Sequence, residues 1–91
     1  MSRFTVTIVH TFSQDKGAIR VNAPVDSSDR EVLGLALQKL YGKTAFFQEN
    51  RDKTGDGSRL YGQVFRRHRG EEFRATSLTG CIYADVTGGT A

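Results

Sequence analysis

The chain is poor in the residues that usually announce a chemistry. It has one cysteine, Cys81, so neither an intramolecular disulfide nor a cysteine-based metal site can form. Cys81 reads instead as a small strand residue. Its two histidines, His10 and His68, are far apart, and neither has a partner at ligand spacing. No G-x-S-x-G, H-E-x-x-H or C-x-x-C occurs, and no G-x-x-x-x-G-K-[ST] phosphate loop. These absences predict a protein that is not an enzyme and uses no metal or cofactor. No apolar run approaches the ~20 residues of a membrane helix. The opening residues, MSRFTVTIVHTF, alternate too regularly and run too briefly for a secretory leader. A cytoplasmic protein that avoids membranes is the simplest expectation. An acidic surplus is also missing: 13 Lys and Arg oppose 10 Asp and Glu, a net charge of +3. That balance excludes a dense acidic surface of the kind that imitates DNA.

What is present fits one small domain, residues 1–91, with 37% apolar content and a correspondingly thin core. Arg3–Phe12 alternates in the manner of a strand, with Phe4, Val6, Ile8, His10 and Phe12 on one face. SQDKG at 13–17 is a turn by composition. Ile19, Val21 and Ala23 then share a face opposite Arg20 and Asn22, which predicts a hairpin ended by Pro24. Ser28 and Glu31 have the spacing of a capping box. Val32, Leu33, Ala36, Leu37 and Leu40 recur at helical spacing and form a core stripe, and Gly42 supplies the stop. Thr44–Glu49, with Ala45, Phe46 and Phe47, reads as a third strand. NRDKTGDGS at 50–58 reads as a polar loop; it lacks the ligand ladder and closing glutamate of a calcium loop. Gly70–Glu72 is a turn, Phe73–Thr79 extends a hairpin, and Gly80 marks a bulge or bend. Cys81–Val86 is the last strand, with Ile82, Ala84 and Val86 opposite Cys81, Tyr83 and Asp85. Residues 87–91, TGGTA, read as a frayed tail.

The order β-β-α-β-β-β predicts an α+β domain: a single antiparallel five-stranded sheet with one helix packed on one face. The opposite face then carries Thr, Arg and Tyr side chains and offers a place for a partner.

The most distinctive stretch is Arg59–Arg74, RLYGQVFRRHRGEEFR. Leu60, Gly62 and Val64 fall on one face, and Tyr61, Gln63, Phe65, Arg67 and Arg69 on the other. Charge appears on both faces after Val64, as in a strand that runs out into solvent. Arg59, Arg66, Arg67, Arg69 and Arg74 are opposed only by Glu71 and Glu72. Arginine forks suit phosphates and carboxylates, and interleaved aromatics are a mark of nucleic-acid surfaces. The plainer reading is a solvated hairpin tip with Phe65 and Phe73 in the core. The candidate binding set is Tyr61, Arg59, Arg66, Arg67, Arg69 and Arg74, with Arg51 and Lys53 from the neighbouring loop.

From Ile19 to Val86 the arrangement resembles small phage-encoded anti-CRISPR proteins that inhibit type I complexes. The likeness lies in the strand ending at Ala23, the capped helix Ser28–Tyr41 and the strand with Phe46 and Phe47. It continues in the Gly-rich hairpin and the strand Leu60–Arg67 with Tyr61. The resemblance implies a non-enzymatic inhibitor, monomeric or homodimeric, acting in the cytoplasm of a bacterial host. Its partner would be a Cas protein or the guide RNA, and it would block target DNA sterically or electrostatically. The extra N-terminal strand and the basic tip depart from an acidic decoy. The alternative is a phage or mobile-element accessory protein that binds nucleic acid, DNA included, directly.

Overall fold

A computed structural model of the protein describes residues 1–50, 59–67 and 75–89, without the side chains of Ala75 and Thr76. Among these residues six strands and one helix follow in the order β1 (Ser2–His10), β2 (Lys16–Ala23), α1 (Asp29–Tyr41), β3 (Ala45–Glu49), β4 (Leu60–Arg67), β5 (Ala75–Ser77) and β6 (Ile82–Gly88). The sheet is antiparallel and five strands wide, in the order β2-β1-β6-β4-β3. The expected α+β architecture is therefore present, with one refinement. The short β5 pairs with Phe65–Arg67 of β4, while β6 pairs with Leu60–Gly62 of the same strand. These two segments share one line of the sheet, and the ladder is interrupted between them at residues 78–81.

The break is stitched rather than left open. Leu78 donates its N–H to the Val64 carbonyl at 2.8 Å. In return Val64 donates its N–H to the Thr79 hydroxyl at 3.2 Å. A side chain thus stands in for a missing ladder acceptor, which matters because a buried amide without a partner is costly. Gly80 lies in the bend, as its sequence context predicts.

Period-two alternation decides what is buried. Phe4, Val6 and Ile8 of β1 point to one side with Val21, Ala23, Ala45, Val64, Ile82 and Ala84. Val32, Leu33, Ala36 and Leu37 of α1 close this layer, all fully excluded from water. Burial of each large side chain stabilises the fold by about 1.5–3 kcal/mol. The helix begins where the capping spacing predicts: Glu31 donates its N–H to Ser28 Oγ at 3.2 Å. The reciprocal half differs, because the Ser28 hydroxyl donates to the Glu31 carboxylate at 3.2 Å. Gly42 ends the helix at φ 103°, with its N–H on the Gln38 carbonyl. An Arg30–Glu49 ion pair ties α1 to the edge strand β3.

Three expectations need correction. The first strand, expected through Phe12, stops at His10, whose N–H closes the turn on the Asp15 carbonyl, and Phe12 beyond it is 90% exposed. Leu40 is half exposed: on the last turn of α1 it overhangs a hollow beside Ile8 and Ile19 instead of entering the core. Residues 87–89, expected as part of a frayed tail, are held in the sheet. β6 runs to Gly88, and Gly89 donates its N–H to the Arg3 carbonyl. A Cβ at Gly89 would lie 2.2 Å from the Phe4 ring, so the segment is pressed against the core. The expected loop at 51–58, the turn at 70–72, His68, Phe73 and the end of the tail (90–91) lie outside the described residues.

Candidate nucleic-acid interface

No described element covers the other face of the sheet. The strand registers bring together side chains that are far apart in sequence. Tyr61 stands opposite Tyr83, Phe65 opposite Phe46, and Gln63 opposite Gln48. The Tyr61 and Tyr83 rings meet at 4.6 Å between centroids, and Phe46 stacks on Phe65 at 5.8 Å. All four are half-buried and keep part of their surface toward solvent. A guanidinium completes each pair. Arg59 lies 4.8 Å above the Tyr83 ring and Arg67 lies 4.9 Å above Phe46. The result is a strip across β6, β4 and β3 with a cation–aromatic cluster at each end.

Between the two clusters the surface dips into a concavity of about 540 Å³. Gln48, Gln63, Asn50, Cys81 and Phe65 line it. Gln63 directs its amide N–H at Cys81 Sγ across 3.8 Å. Tyr61 ionises above the usual phenol range, first through a hydrogen bond with the Cys81 side chain and then through desolvation.

The predicted site residues separate into different roles. Tyr61 and Arg67 lie on the open face as expected, and Arg67 is exposed. Arg59 is also there, but its Nε donates to Asp85 Oδ1 at 2.9 Å. With about two fifths of each side chain exposed, this pair is weak and exchangeable. Arg66 is exposed on the helix side and donates to the Tyr41 carbonyl at 2.9 Å. It satisfies a free carbonyl at the helix C-terminus, where a cation is favoured. Arg51, Lys53, Arg69 and Arg74 lie outside the described residues.

Sequence reasoning missed several contributors. Phe46 and Tyr83, which the alternation marks only as strand residues, complete the aromatic pairs. Arg3, Lys16 and Arg20 share the open face, since Thr5 pairs with Arg20, Val9 with Lys16 and Arg3 with Asn22. All three cations are exposed. The alternation of the first two strands places Arg3 and Arg20 there; Lys16, expected in the turn at 13–17, joins them because β2 begins at Lys16, and the strand order shows that all three flank the same surface.

Among the described residues no three His, Cys, Asp or Glu side chains gather as a metal site, and no helix is long and apolar enough to cross a membrane. In comparisons with known proteins, no family model, no curated protein and no solved structure matches the chain.

Proposed function

We propose that the protein binds single-stranded nucleic acid on its open sheet face and catalyses no reaction. The observation that carries this reading is the pairing of two aromatic clusters with guanidinium groups on one uncovered surface. Unstacked bases lie on aromatic faces with little regard to sequence, and arginines take the intervening phosphates. The exposed cations of β1 and β2 extend the positive ground on which a flexible backbone can run. A duplex fits less well, because its bases are already stacked on one another and cannot reach the rings.

Fluorescence anisotropy with a labelled single strand tests the reading. Binding should weaken as salt rises, through release of phosphate counterions. Tyr61→Ala and Phe65→Ala should each lower affinity by about 1–3 kcal/mol, the range for one lost base–aromatic stack. Absence of binding at low salt would refute the proposal.

A second reading keeps the inhibitor role. The chain has the one-helix antiparallel sheet that the resemblance to type I anti-CRISPR proteins implies. On that reading the same face meets the guide RNA or a Cas subunit in a bacterial cytoplasm and obstructs target DNA. Co-purification with a type I complex before and after nuclease treatment separates the two. Capture that survives the nuclease favours a Cas subunit; no capture at all counts against inhibition.

A further inference from the structure

The two aromatic clusters are separated by a gap that their own stacking does not explain. Tyr61 and Phe65 are four residues apart on one strand, a distance of roughly 13 Å. Bases stacked helically along a strand rise only ~3.4 Å each. A strand that uses both clusters must therefore open between them, and its middle nucleotide passes over the concavity of about 540 Å³. That volume lies within the range of small-molecule sites, about 300–1,000 Å³.

The lining states which part of the nucleotide belongs there. Gln48 and Gln63 oppose one another across β3 and β4 and present amides. Phe65 provides one ring-bearing wall and Cys81 a polarisable one. Among the described residues that line it there is no Lys or Arg; Glu49 also borders it, with its carboxylate held by Arg30 on the helix side of the sheet. A phosphate would find no cation among those residues. A flat, uncharged, hydrogen-bonding group would find amides that both donate and accept.

We infer that the concavity between the two aromatic clusters is a base-reading pocket, in which the amides of Gln48 and Gln63 select one unstacked nucleobase. This rests on the single-strand reading above and goes beyond it: the clusters supply affinity and the pocket supplies preference. Glutamine amides pair well with the edge of adenine, so an adenine preference is expected.

The probes are labelled oligo(A), oligo(C) and oligo(T), titrated by anisotropy at one low salt concentration. Wild-type protein should separate the tightest from the weakest by roughly tenfold, in line with one good amide–base pairing. Gln48→Leu with Gln63→Leu should narrow this ratio to within about threefold, with little change for the weakest probe. Gln48 is exposed, so Gln48→Leu alone keeps the fold and should narrow the ratio part of the way. Equal wild-type affinities for the three probes, or a ratio untouched by both variants, would overturn the pocket and leave strand binding standing. Failure to bind any probe would overturn strand binding and the pocket together.

Discussion

Gly62 shows how one position sets the shape of the site. It sits mid-strand in β4, paired with Glu49 on one side and Ile82 on the other. A Cβ placed there would lie 2.1 Å from the Gln48 carbonyl oxygen and 2.9 Å from the Phe47 ring. Only a residue without a side chain lets β3 come this close, and that approach sets Gln48 beside Gln63. Gly62→Ala must push backbone, not a flexible side chain. It should cost about 2–3 kcal/mol, the upper part of the range for overpacking, read as a lower urea midpoint. A shift smaller than ~0.5 kcal/mol would show that β3 yields freely. The alternation of Leu60, Gly62 and Val64 was legible in the sequence; the closeness of β3 was not, because it depends on a register between distant segments. Phe46 is the same case. Its apolar character predicts a strand, but its stacking on Phe65 follows only from the pairing. Arg66 is the converse: its charge and exposure could be read directly, whereas its bond to Tyr41 depends on where α1 ends.

Local patterns specified the elements better than the contacts among them. Ser28 and Glu31 announced the helix start, Gly42 its end, and period-two alternation located the long strands. The line formed by β5 and β6 was harder. Gly80 signalled a bend, but a break that keeps both halves against β4 needs Thr79 to replace a backbone acceptor. Val64 is fully buried, so its N–H has no solvent to fall back on. Thr79→Val keeps the shape and removes the acceptor. A loss of about 1–3 kcal/mol is expected, the cost of an unsatisfied buried donor. Amide exchange at Val64 should quicken more than at Val6, which lies in the unbroken β1. Equal change at both would mean that the break is held by Leu78 alone. The exposed ends escape the sequence pattern for a related reason. Phe12 and Leu40 obey the period of their elements but stand past the point where anything packs on them, and no single-element pattern marks that point.

A net charge of +3 gives the sum of the charges and not their placement, and placement decides what the open face attracts. Arg3, Lys16, Arg20, Arg59 and Arg67 all belong to that face. Of the acidic side chains carried by the described strands, Asp85 shares it, opposite Thr7. It occupies Arg59 in a pair that water and salt already reach. A phosphate arriving at Arg59 must displace or share with this carboxylate, so Asp85 restrains binding without holding the fold. Asp85→Asn removes the restraint. Folding stability should change by less than about 1 kcal/mol, as for other exposed pairs. Affinity for a single strand should rise several-fold at low salt, and the slope of log affinity against log salt should steepen by ~0.7, the contribution of one further phosphate. Arg67→Glu should move the slope the opposite way by a similar amount. An unchanged slope in Asp85→Asn would mean that Arg59 never meets the strand, and the Tyr61–Tyr83 cluster would then bind bases without an adjoining phosphate contact. The sequence showed how many arginines were available. Which of them face a ligand, which cap a helix and which lean on a carboxylate is decided by strand order and helix length, properties of the assembled molecule alone.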